Sequence, residues 1–158
     1  MIGSDQGREG EQSLITVFSV GEIRFAINVE NLSEIIQFTD IIIGSDKGCV
    51  LGTVDLRGVK IPILDMEKYF GVEASRDSRS IRSMIILKKN VGDGPGMMGM
   101  IVDRIEGVHR ENELTFHSFP EIAQNGDTSV YQGTLLLGQD LILFLNTPRL
   151  MERAWATR

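Results

Sequence analysis

The chain is built from short apolar runs that are too brief for helices and too regular for loops. They are SLITVFSV (13–20), IRFAINV (23–29), EIIQF (34–38), VLGTVDL (50–56), KIPILD (60–65), SMIILKK (83–89), MMGMIVD (97–103), TLLLG (134–138) and DLILFLN (140–146). Most hold five to eight residues, are rich in Val, Ile, Leu and Phe, and are bounded by Gly, Asn, Asp or Ser. β-branched and aromatic side chains suit a pleated, half-buried surface, and the flanking residues suit turns, so the pattern predicts an all-β domain of many short strands. Helical periodicity is confined to about 29–34, 66–70 and 148–155. Asp65 is placed to cap the second, Asn146 or Thr147 the third, with Pro148 at a tolerated first-turn position. Loops are expected over 71–83, 90–96 and 110–130, the last being long enough to suggest an interaction surface or an extra short helix.

The chain also repeats itself. Residues 25–35 align with 98–108, apolar positions coinciding at Phe25/Met98, Ile27/Met100, Val29/Val102, Leu32/Ile105 and Ile35/Val108. Gly52–Leu56 falls on Gly133–Leu137, and in the same register Ile61–Asp65 falls on Ile142–Asn146. Each half thus ends in strand, turn, strand, polar cap and short helix. Two related barrels of about five strands would bury these faces and leave few free edges.

Bulk properties narrow the partners. A net charge of −6 over 158 residues, without a basic stripe, argues against nucleic acid and against an anionic membrane surface. No apolar run approaches the ~20 residues that span a bilayer. A polar, Gly-rich stretch at 1–12, expected to be a flexible tail, has no signal-like apolar core, and Cys49 is the sole cysteine. A cytoplasmic protein is the reading that fits both.

Catalytic signatures are missing. His109 and His117 lack metal-pair spacing, no serine lies in a G-x-S-x-G context, and Gly92–Gly96 has no phosphate-loop lysine. The sequence therefore points to no enzyme, no cofactor and no metal. Pro62 lies inside a strand pattern, where its missing N–H implies an edge or a bulge at that point. Arg57-Gly58 joins two strands. Gly58 can take the positive φ of a tight turn, but the second half turns at Gly138-Gln139 without any arginine. Arg57 is thus a candidate functional residue, its planar fork suited to a carboxylate or several carbonyls.

The segment Gly52-Thr-Val-Asp-Leu-Arg-Gly58, followed by Ile61-Pro-Ile-Leu-Asp-Met66, resembles the hallmark of the CheW-like family, a G-x-x-N-L-R-G turn and an I/V-P-I/V-x-D-L strand end. Phe25–Ile35, Gly99–Asp103 and Tyr131–Leu143 match further family blocks in the same order. Two departures are Asp55 for the usual asparagine, which could retune partner choice, and Lys47-Gly48-Cys49 where a proline often stands. The resemblance implies two intertwined five-stranded SH3-like barrels sharing a hydrophobic core, with a few short helices, over residues 13–152. Residues 153–158 would be the end of the last helix or a tail.

It further implies a non-enzymatic adaptor coupling methyl-accepting chemoreceptors to the regulatory domain of the histidine kinase CheA, recruited from the cytoplasm to receptor arrays. Such a protein would be monomeric alone and able to join rings. Position by position, Leu32, Glu34 and Ile35 match the kinase-facing surface on the first barrel. Arg57, with Asp55 beside it, matches the arginine of receptor coupling and array geometry. Ile85, Ile86, Ile101 and Val102 match strands lining the receptor groove. A scaffold for pili, gliding or development is the alternative, and a small all-β enzyme or ligand-binding barrel a remote one.

Overall fold

Among the described residues, eleven strands form two sheets that trade strands between the two halves of the chain. The computed structural model describes residues 13–37, 48–73, 82–118 and 128–156. In the first half these are β1 (Leu14–Val20), β2 (Ile23–Asn28), β3 (Leu32–Gln37), β4 (Val50–Leu56), β5 (Val59–Leu64) and helix α1 (Met66–Phe70). The second half has β6 (Ser83–Lys88), β7 (Met97–Val102), β8 (Arg104–Arg110), β9 (Thr115–His117), β10 (Tyr131–Leu137), β11 (Asp140–Leu145) and α2 (Thr147–Ala156). One sheet runs β8-β1-β2-β11-β10-β9 and the other β3-β6-β7-β5-β4.

Superposing the repeat on these orders turns one into the other: β1, β2, β8, β10 and β11 map onto β6, β7, β3, β4 and β5. Each sheet holds the first two strands of one half and the remaining strands of the other, three in one sheet and four in the other, so neither half owns a barrel; β9 alone has no mate. The correspondence extends to register. β11 runs parallel to β2 with Phe144 opposite Ala26, and β5 parallel to β7 with Ile63 opposite Gly99. β10 shifts register between Tyr131 and Gly133, and β4 shifts between Val50 and Gly52. Phe18 and Val17 oppose Ile105 and Gly107 across a bulge in β8; Leu87 and Ile86 oppose Leu32 and Glu34 across the same bulge in β3.

Alternation along these strands feeds three apolar cores. The six-stranded sheet curls around Ile15, Val17, Ala26, Leu135, Ile142 and Phe144. The five-stranded one encloses Val54, Ile61, Ile63, Met84 and Ile86. Between them lies a shared core that includes Phe18, Phe25, Leu64, Ile85, Leu87, Met100, Leu145 and Leu150. Phe25 and Phe70 pack within it as tilted rings, 4.9 Å between centroids. The all-β, two-barrel expectation with a shared core holds, the barrels having six and five strands because β9 adds a short edge to one.

Both short helices start as the residues dictate: Asp65 Oδ1 accepts from the Lys68 N–H at 3.0 Å, and Asn146 Oδ1 from the Arg149 N–H at 3.2 Å. Gly71, at φ 68°, ends α1. The expected helix at 29–34 is a correction. Only Val29–Asn31 make a 3-10 turn, and Leu32 onward is β3, because pairing with β6 overrides the weak helical spacing. Pro62 does not mark an edge strand, since β5 lies between β7 and β4. Pairing with β7 begins at Ile63, one residue later than in the mate, where Leu143 already opposes Phe25. The strand is thus free on that side at the position lacking an N–H. Within the 110–130 span lie a 3-10 turn (Glu111–Glu113) and β9. The expected tail at 1–12, most of the loop at 71–83, residues 119–127 of the long loop and the last two residues lie outside the described residues.

Candidate protein-interaction site

The β4–β5 hairpin closes on a two-residue loop, with Leu56 opposite Val59 and only Arg57 and Gly58 between. Both have positive φ, 52° and 85°. Left-handed φ at both central positions matches the right-handed twist of the flanking strands, but L-residues other than Asn and Asp rarely adopt it. Arg57 is the one non-glycine with positive φ among the described residues. At the mate hairpin Gly138, φ 65°, takes the first position. The arginine therefore stands where glycine would serve the fold better.

Its side chain reaches across to β3. The guanidinium holds both carboxylate oxygens of Glu34, Nη2 on Oε1 and Nη1 on Oε2 at 3.5 Å. The Glu34 hydrogen bond, then its charge, raise the Arg57 pKa above its ordinary value. β3 and β4 are the outermost strands of the five-stranded sheet, so the pair clasps the seam where that barrel closes. Arg57 remains mostly exposed, its side chain 71% accessible against 29% for Glu34. Asp55 adds a local tie, Oδ1 accepting the Gly58 N–H at 2.9 Å. Next to these residues in the chain stand two exposed apolar ones, Ile35 after Glu34 and Val59 after Gly58.

Glu34 and Arg57, assigned by the sequence to different partners, thus share one ion pair, and Ile35 and Asp55 adjoin them. Leu32 is different: it is half-buried and packs on the shared core. β3 itself lies in the barrel that includes β6 and β7, so "first barrel" names no unit that the first half builds alone. Ile85, Ile86 and Val102 are at most 1% exposed. That is a correction to their reading as groove-lining contacts, since strand alternation points all three into the cores. Ile101 is half-buried and lines a shallow depression between the barrels with Leu51, Asp65, Glu67 and Arg82.

Sequence reasoning missed a second clasp. In the six-stranded barrel Arg24 bonds Glu106 at 3.0 Å and Asp140 at 2.7 Å, tying β8 to the start of β11. A charged residue opening the otherwise apolar run of β2 was the available signal. Here the arginine comes from a strand, and the turn residue Gly138 contributes nothing to the pair. Both barrels thus carry an arginine held by carboxylates, but only in the five-stranded one does the arginine stand on an exposed hairpin tip and reach across to the opposite outer strand. Among the described residues no three His, Cys, Asp or Glu side chains gather to hold a metal, and no helix is long and apolar enough to cross a membrane.

A pair of strand-exchanged small barrels with a solvent-facing charged hairpin, rimmed by apolar side chains, defines a protein-binding module of the scaffold type. The chain belongs to the CheW-like domain family, which matches residues 15–154 and comprises scaffold proteins of chemotaxis. It is similar to the chemotaxis protein CheW of Thermotoga maritima, 28% identical over 85% of each chain. It is also similar to that of Treponema pallidum, 27% identical over 90% of this chain and 84% of the relative. Among solved structures, the scaffolding protein TtCheW of Thermoanaerobacter tengcongensis matches with a TM-score of 0.67 and 25% identity, over 85% of this chain and 89% of that one.

Proposed function

We propose that this chain couples methyl-accepting chemoreceptors to the histidine kinase CheA, with the Arg57–Glu34 clasp at the centre of its partner surface. The observation that carries this reading is an arginine held in a left-handed turn, at a local backbone cost, so that its fork meets Glu34. A turn serving the fold alone would use glycine there, as the mate hairpin does. Glu34 and Ile35 form the kinase-facing side, with Leu32 supporting β3 from below. Arg57 sets the hairpin against the receptor-facing side, and Ile85, Ile86 and Val102 shape that side from within. One module spanning 13–152 acts in the cytoplasm and joins receptor arrays through these contacts.

The test is a reconstituted assay of receptor-controlled kinase activity with Arg57→Ala, alongside capture of the CheA regulatory domain by Glu34→Lys and Ile35→Ala. Arg57→Ala should fold normally and lose receptor control; Glu34→Lys and Ile35→Ala should lose capture. Normal coupling by a folded Arg57→Ala protein would remove the hairpin from the mechanism.

A further inference from the structure

Three differences between the Arg57 hairpin and its mate occur together. Arg57 is left-handed at φ 52°, where the mate has Gly138. Two residues earlier stands Asp55, whose Oδ1 accepts the Gly58 N–H at 2.9 Å; the aligned residue is Leu136, which carries no acceptor. Glu34 receives the guanidinium, and its aligned residue is Gly107. The acceptor is thus found on the hairpin that forces a non-glycine residue into an unfavourable backbone region, and it is absent where glycine makes the turn freely.

Released from that bond, Arg57 would relax toward negative φ, because its Cβ crowds the following carbonyl in the left-handed region. A rotation there swings the guanidinium away from β3. A carboxylate-to-N–H bond is stronger than a neutral one and acts on the residue directly after Arg57. We propose that Asp55 is a positioning residue: its hydrogen bond to Gly58 holds Arg57 in the left-handed conformation from which it grips Glu34. The importance of this for partners rests on the function proposed above; the positioning itself does not. Asparagine offers the same oxygen at the same reach, so the role belongs to the acceptor and not to the charge.

The test uses the full chain carrying Asp55→Ala and Asp55→Asn. Hydrogen exchange at the Gly58 N–H reports the turn, and capture by immobilised CheA regulatory domain reports the site. Asp55→Ala should speed Gly58 exchange by about tenfold and lower capture, with melting temperature nearly unchanged. Asp55→Asn should restore both. In an Arg57→Ala background, Asp55→Ala should cause no further loss of capture. Unchanged Gly58 exchange in Asp55→Ala, failure of asparagine to rescue it, or losses that multiply in the double variant would each overturn the proposal. If Arg57→Ala alone leaves capture and coupling intact, the functional reading fails, while Gly58 exchange still decides whether Asp55 sets the turn.

Discussion

Ile86 and Ile35 belong to paired strands and were both placed at partner surfaces by the sequence, yet they should answer truncation in opposite ways. Ile86 is fully buried among Val54, Ile61, Ile63 and Met84. Ile86→Ala removes three carbons, each carrying about 0.8 kcal/mol when buried, so roughly 2.4 kcal/mol is lost before any cavity cost. The rigid surroundings, strands on both sides, leave little room to collapse, and the total should reach about 3–4 kcal/mol. For a domain of this size that lowers the melting temperature by roughly 6–15 °C. Ile35 is 44% exposed, so the same truncation there should cost only about 1 kcal/mol. Urea and thermal unfolding of both variants, followed by kinase-domain capture well below their transitions, separate stability from contact. The expected outcome is an unstable Ile86→Ala protein that still binds and a stable Ile35→Ala protein that does not. An Ile86→Ala variant that melts within about 2 °C of the parent while losing its partner would refute the core assignment.

Arg57→Gly should raise the melting temperature slightly by relieving the left-handed backbone, while abolishing receptor control in the reconstituted assay. Gly133→Ala should loosen β9 from β10, because a Cβ there would lie 2.4 Å from the His117 carbonyl oxygen and 2.9 Å from the Phe116 ring; faster hydrogen exchange confined to that edge would show it. Lys89, with only 2% of its side chain exposed, reaches the Asp93 carbonyl and lies 3.7 Å from Glu152, pinning the β6–β7 loop on α2. Lys89→Ala should therefore cost about 3 kcal/mol in urea unfolding, and Lys89→Met less, since its thioether refills the volume. Burial raises the Tyr131 pKa above its ordinary 10.0. Above pH about 10 the unfolded chain thus gives up this proton more readily than the folded one, and stability falls as pH rises further. Tyr131→Phe should flatten that alkaline limb in a pH series of melting curves.

Nine of the eleven described strands, the two caps and the duplication were legible, because period-2 patterning and Asp or Asn before short helices are local signals; β8, with its charged residues, and the three-residue β9 were not. Tertiary pairing was not. Leu32–Glu34 read as helix because the bulge that sets β3 against β6 depends on residues some fifty positions away. Which half supplies which barrel is likewise a matter of topology, so no window of sequence carried the strand exchange. Ile85 and Ile86 were misplaced because two adjacent isoleucines in a strand face opposite sides, and only the structure shows both sides covered. The Glu34–Arg57 pairing was hidden by the 23 residues between them, although each was singled out separately.

Drawing each sheet from both halves of the chain has a mechanical consequence. Severing the chain between Glu73 and Arg82 would leave two fragments, each lacking strands that its own barrels require and holding strands that the other needs. Such fragments should fold only when mixed. In the intact protein each barrel contains strands of both halves, so neither half can unfold without dismantling both barrels. A force applied at the Arg57 tip would therefore be borne by strands from both halves of the chain at once.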